Sequence, residues 1–198
     1  MQAARILTYS SKKQMNPDLS KRFQMWFSDP FEWLRHKKNL PEERQVSFDG
    51  GFVAMSMGCM LCERYFRAKT NTEKPLERGE SKKKKNKGYN ERFKREAAKE
   101  LGISKSKFDI FWAVYRHGIQ HQGMPRKVYR KYAGRTITYR SLMSENNTHT
   151  PEQEIDGDII WIKISPWKFT KRMIELFERD SAALESGFHH AFADIFQK

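Results

Sequence analysis

Phe111-Trp112-Ala113-Val114-Tyr115-Arg116-His117-Gly118-Ile119-Gln120-His121-Gln122-Gly123 is the stretch around which the rest of this chain is organised. An apolar, aromatic run at helical spacing ends in an arginine, two histidines and two glycines. Nowhere else do a permanent cation and two groups that titrate near neutral pH fall within six residues. Arginine offers a planar fork of donors suited to phosphate, and histidine gives or takes a proton at physiological pH. On a straight helix Arg116 and His121 stand about 140° apart, so they do not share a face, whereas His117 and His121 do, as do Arg116 and Gln120. Convergence needs either a helix that loosens at Gly118 or two copies meeting across a symmetry axis.

Outward from this stretch the pattern is helical. Phe108, Phe111, Trp112, Tyr115 and Ile119 make one apolar stripe, which predicts a helix over about 107–121, capped by Ser104 or Ser106. Before it, Phe93, Ala97 and Leu101 predict a helix over 89–101 that Gly102 terminates. Phe52, Met55, Cys59, Cys62 and Phe66 follow spacings of three and four, so residues 51–69 form a helix with one buried face, capped by Asp49. Its methionines, Met55, Met57 and Met60, suit a core or a helix–helix contact. Glu63 lies beside that stripe, free to approach His121 or to pair with a lysine. Nearer the N-terminus, Pro17-Asp18 and Asp29-Pro30 start two short aromatic helical pieces, the second ending at Pro41, while 1–16 reads as a loose arm.

After Gly123 the character changes. Thr136-Ile137-Thr138-Tyr139 alternates and Asp158-Ile159-Ile160-Trp161-Ile162-Lys163-Ile164 is β-branched and aromatic, which predicts two short strands forming a small β-hairpin near 135–165. Pro166 opens a helix carrying Phe169, Met173, Ile174 and Phe177, and a last helix over 181–196 closes the chain. The expected architecture is one mainly α-helical domain over 1–198, with a flexible basic loop at about 70–88.

The chain has 198 residues, enough for a real core, with 38 Lys and Arg against 24 Asp and Glu and a formal net charge of +14. That surplus favours an anionic partner. Lys82, Lys83, Lys84, Lys85 and Lys87 supply part of it, as an arm that attracts phosphate or as plain solubility. No apolar run approaches the ~18–20 residues of a membrane helix, and residues 1–13 carry no block suited to a signal peptide. Cys59 and Cys62 form one C-x-x-C with no second pair, so no metal ligand set is expected, and the two read as reduced core residues of a cytoplasmic protein.

Tyr115-Arg116-His117-Gly118-Ile119-Gln120-His121 resembles the R-x4-6-H signature of the HEPN superfamily, in which a polar residue often follows the arginine. The resemblance implies a helical bundle that pairs into a homodimer, with two copies of the motif in a shared cleft. It further implies a metal-independent endoribonuclease acting as a toxin or antiphage effector, with no cofactor. An inhibitor or antitoxin protein is then an expected partner. By the same resemblance, His121 assists proton transfer at the 2′-hydroxyl and the leaving 5′-oxygen, Arg116 holds the scissile phosphate, His117 supports the geometry, and Gln120 and the lysine run contact RNA. Products would carry 2′,3′-cyclic phosphate ends. A non-catalytic HEPN-like module that binds a nucleotide or partner is an alternative. So is a DNA-binding helix-turn-helix over about 91–117, built from Ala97 to Ser106 and the following helix. In a purely structural reading, Arg116, His117 and His121 meet the last carbonyls of their helix.

Overall fold

Gly50, Ala54 and Gly58 recur every four residues and so line one side of a helix with almost no side chain. In the computed structural model, which describes residues 17–37, 44–72 and 80–193, that helix is α3, Arg44–Thr70. Its bare side lets α7, Pro166–Arg179, approach closely enough for Thr170 Oγ1 to donate to the Ala54 carbonyl at 2.5 Å. A Cβ at Gly58 would stand 2.5 Å from that hydroxyl and 2.8 Å from Phe169 Cδ1. The rest of α3 is apolar where expected: Met55, Cys59, Cys62 and Phe66 are all buried. Burial pushes both thiols far up from their ordinary range, so they remain protonated. Asp49 lies inside α3 and is not its cap, since the helix begins at Arg44.

The other helices gather around α3. Helix α1, Pro17–Phe23, a π-helical turn, Gln24–Ser28, and α2, Asp29–Lys37, form one aromatic arm. Its Phe23 packs with Phe177 of α7 and with Phe188 of α8, Ser181–Ala193, at ring distances of 5.2 and 5.6 Å. Asp180 caps α8 by accepting from the Ala183 amide, and it also takes bonds from Tyr65 and Lys69 of α3. Helix α4, Glu80–Glu100, is longer than its apolar pattern indicates. Lys82, Lys83, Lys84, Lys85 and Lys87 therefore belong to a helix, not to a loop, because lysine is a good helix former and α4 is anchored by Phe93, Ala97 and Ala98 in its second half. The expected arm at 1–16, the helix end at Pro41 and positions 73–79 of the expected loop lie outside the described residues.

Where a single helix was expected over 107–121, two occur: α5, Lys105–Val114, and α6, Arg116–Gln122. Ser104 is the cap of α5, accepting from the Lys107 amide at 3.3 Å. The break falls at Tyr115, and the expected β-hairpin is a four-stranded sheet: β1, Val128–Tyr132; β2, Arg135–Met143; β3, Glu152–Asp156; and β4, Ile159–Ile164. The order is β1-β2-β4-β3. The two strands legible in the sequence, β2 and β4, are neighbours but run parallel, with Thr138 opposite Ile159 and Met143 opposite Ile164. Each belongs to its own hairpin, with β1 and with β3. Gly134 and Gly157, both at positive φ, make the two turns.

Register decides the two faces of the sheet. Ile160, Ile162 and Ile164 of β4 fall on the face that meets the helices, with Tyr139 and Met143 of β2 beside them. Arg140 and Trp161 fall opposite each other on the outer face, guanidinium over ring at 5.2 Å. Ile162 and Ile164 are buried, and the sheet shares the helices' hydrophobic core. No described helix is long and apolar enough to cross a membrane.

The α3–α7 contact yields a paired expectation. Gly58→Ala forces a methyl into Thr170 and Phe169 and should destabilise the protein by about 1–3 kcal/mol. Gly88→Ala, on α4 with nothing within 4 Å of the new methyl, should stabilise it by about 0.5–1 kcal/mol. Urea unfolding of both variants beside the parent protein checks the signs.

Candidate functional site

Arg116 opens α6 because the chain cannot continue α5 smoothly. Gly123, in the left-handed conformation at φ 71°, ends α6, and its amide donates to the Ile119 carbonyl. The chain then turns back over Gly118, where a Cβ would lie 2.7 Å from the Met124 carbonyl oxygen and closer still to the Arg126 amide. Only glycine permits that crossing. In return Arg126 satisfies the carbonyls released at the break: its amide donates to Val114 at 2.9 Å and its Nε to Ala113 at 2.8 Å. The break therefore precedes Arg116, and Gly118 serves the crossing, not the expected loosening.

Arg116 reaches α3. Its Nε and Nη2 both donate to Glu63 Oε2, at 2.9 and 2.7 Å. The other carboxylate oxygen, Oε1, takes two bonds from Arg67, whose Nη2 also bonds Asn90 Oδ1 at 2.7 Å. Glu63 thus pairs with Arg116 and Arg67, not with His121 or a lysine. Burial on its own would raise its carboxyl, but the hydrogen bonds and charges of Arg67 and Arg116 outweigh burial and hold it below the usual range.

These side chains line a cleft of about 210 Å³, together with Phe93, Lys94, Trp112 and His117. The lining carries three fixed cations, Arg67, Lys94 and Arg116, against one carboxylate. A second anion is what the cleft lacks, and arginine's fork suits phosphate. Lys94 is held in place from outside the cleft, through Asp109 at 3.0 Å. His117 is half-buried beside Arg116. Burial first, then the charges of Arg116, Arg126 and Lys94, hold its imidazole below the ordinary histidine value, so it is neutral at pH 7 and able to accept a proton.

The expected site residues do not all converge. Arg116 and His117 share the cleft, whereas His121 and Gln120 are exposed and do not line it. His121 touches the site through His117, the two rings lying nearly parallel with centroids 6.0 Å apart. The 140° offset between Arg116 and His121 persists because both sit on the unbroken helix α6. Lys87 is exposed on α4 and does not line the cleft, and the side chains of Lys82, Lys83, Lys84 and Lys85 lie outside what the structure describes. Sequence reasoning missed Arg67, Asn90 and Lys94. A signal for the first was present, since Glu63 and Arg67 are four apart on one helix face. Among the described residues, no three His, Cys, Asp or Glu side chains gather as a metal-binding group.

Two measurements follow from these charges. By NMR, the His117 ring should titrate below about 6.5. Arg116→Gln should raise that midpoint only partway, because burial is the larger cause. Glu63 is about one-fifth exposed, and Glu63→Gln should cost about 2 kcal/mol at pH 7 by leaving two guanidinium groups under-compensated. A depressed carboxyl stabilises the fold above its unfolded value of about 4.3 and loses that contribution as pH falls through the folded one. The deficit of the variant should therefore shrink below about pH 4 in urea titrations.

No family model, curated protein or solved structure matches this chain, so its own residues and their geometry are the whole ground for a functional reading.

Proposed function

We propose that this chain is a metal-independent endoribonuclease of HEPN type. One observation carries the reading: a cleft with a surplus of cations sets Arg116 beside the half-buried ring of His117. In the proposed reaction a neutral imidazole of the His117–His121 pair takes the proton of a 2′-hydroxyl, and that oxygen attacks the adjacent phosphorus. The bond from phosphorus to the 5′-oxygen breaks, and a protonated imidazole returns a proton to the leaving oxygen. The products are a 2′,3′-cyclic phosphate and a 5′-hydroxyl. Arg116, aimed by Glu63, and Lys94 stabilise the charge that grows on the phosphate.

Exposure of His121 favours a homodimer within this proposal. Val53 and Met60 leave an apolar strip on α3, 54% and 37% exposed, with Met57 half-buried between them. The same helix carries Glu63 and Arg67 into the cleft. A second copy seated there would bring its own His121 toward the first copy's Arg116. Such an enzyme fits a toxin or antiphage effector restrained by an inhibitor protein. The helix-turn-helix alternative has less support. Its recognition helix would be α5, whose Phe108, Ile110, Phe111 and Trp112 are buried and whose Lys105 is held by Asp109 and Glu91.

The test is incubation of the purified protein with mixed RNAs in EDTA, reading the chemistry of the new ends. His121→Ala and His117→Ala should each lower the cleavage rate about a hundredfold or more. His121→Ala is the cleaner variant, since an exposed side chain should leave stability within about 0.5 kcal/mol. Arg116→Ala should also abolish cleavage, and its loss of the Glu63 pair should show as a lower melting temperature. Unchanged cleavage in all three variants, or products with 3′-hydroxyl ends, would refute the proposal.

A further inference from the structure

A second cavity lies beside the cleft, where the sheet overhangs the start of α5. It measures about 600 Å³, within the range of small-molecule and cofactor sites. Tyr132, Ile137, Tyr139, Ile155 and Ile160 supply its sheet side, and Asp109 and Ile110 of α5 its helical wall. Register explains why these meet. Tyr139 stands opposite Ile160, which stands opposite Ile155, all on the sheet's inner face; Tyr139 and Ile160 pack partly against the core, and Ile155 lies beyond it. The result is an aromatic and aliphatic floor whose outer ends are open to solvent: Tyr132 is 77% exposed and Ile155 75%.

Charge selects the occupant. Residues 110–144 contain seven Lys and Arg and no Asp or Glu. Of these, Arg130 and Lys131 line the groove itself. Glu154 and Asp156 of β3 alternate onto the sheet's outer face, opposite Trp161 and Ile159, away from the floor. The groove's one carboxylate, Asp109, is matched by Lys94 at 3.0 Å and Lys105 at 2.5 Å. Flat π-faces among apolar side chains, rimmed by cations, are how proteins hold the bases of single-stranded nucleic acid. Lys94 joins the two cavities, lining the cleft while bonding the groove's Asp109.

The geometry points to this groove as a subsite for an unpaired base of the RNA strand whose scissile phosphate lies in the Arg116–His117 cleft. The inference rests on the ribonuclease reading for the phosphate's position, and it adds the substrate class: single-stranded RNA, or an unpaired loop, since a paired base has no free face to offer. Arg130 and Lys131 meet the phosphates on either side of the stacked base.

The experiment uses fluorescein-labelled 2′-O-methyl decauridine, which cannot be cleaved through its 2′-oxygen, and a blunt RNA duplex of equal length. Fluorescence anisotropy is read with the full chain in EDTA. Tyr132→Ala and Ile155→Ala alter exposed side chains and should leave circular dichroism unchanged. Tyr132→Ala should weaken decauridine binding about tenfold, the loss of roughly one stacked base, Ile155→Ala should weaken it less through lost apolar contact, and both should leave duplex binding unchanged. Replacing one base by 4-thiouridine should give a photocrosslink to the peptide containing Tyr132. Unaltered decauridine affinity in both variants overturns the inference, as does equal loss for the duplex, or a wild-type protein that does not bind the strand. A change in self-association without RNA, with strand affinity intact, overturns it in favour of a self-interface. Cleavage assays keep the two claims apart. If Arg116→Ala stops cleavage while Tyr132→Ala and Ile155→Ala both bind normally, the groove fails alone. If the wild-type protein never cleaves but Tyr132→Ala loses strand binding, the ribonuclease reading fails alone.

Discussion

One buried hydroxyl joins the helical and β parts of this protein. Tyr115 is fully enclosed, donates to the Ile162 carbonyl at 2.7 Å and accepts from the Leu142 amide at 3.1 Å. Those partners belong to β4 and β2, so a single side chain bridges the parallel pair at the centre of the sheet. Burial holds the phenol far above its ordinary range, which keeps it neutral and able to do both. The same residue marks the break between α5 and α6. Carbonyls freed there are met by Arg126, and the chain that delivers Arg126 crosses Gly118 on its way to β1. The placement of the sheet and the placement of the motif helix are thus one structural event.

Electrostatics then set the character of the surface around that event. Glu63 is shared between two guanidinium groups, an arrangement that fixes Arg116 in position without cancelling its charge. Such pairs form at the cost of desolvation, and they are favourable when the hydrogen bonds are complete, as here on both carboxylate oxygens. Surplus cation remains in the cleft, and it extends along β1 at one edge of the sheet. Acid is concentrated on the other edge, in Glu152, Glu154 and Asp156 of β3. Like charge along each edge discourages pairing of that edge with its own counterpart in another copy.

The cleft and the groove differ in kind. One is narrow, charged and bordered by a histidine; the other is wide, aromatic and open. They adjoin because Asp109 of α5 lines the groove while Arg116, at the head of α6, lines the cleft. Lys94 of α4 ties the two, bonding outward to Asp109 while contributing its charge to the cleft.

Local physics was legible in the chain itself. Stripes at spacings of three and four placed Met55, Cys59, Cys62 and Phe66, and Phe108, Phe111, Trp112 and Tyr115, on buried faces. Ser104 before α5 and Pro166 at the head of α7 marked helix starts, because caps and proline act within a turn. Arg116 and His117 stood out by chemistry alone. What needed the tertiary structure involves distance along the chain. Glu63 meets Arg116 across 53 residues, and no periodicity encodes which of many cations a glutamate will choose. Strands β1 and β3 escaped notice because VYRKY and EQEID are polar edge strands, whose ladder partners are set by the neighbours they find. The parallel pairing of β2 with β4 followed from those hairpins, not from either strand's own residues. His121 was chemically suited to the cleft, yet helix geometry turned it outward. Residue types in the sequence determined what chemistry is available, and the break at Tyr115 decided which of them face one another.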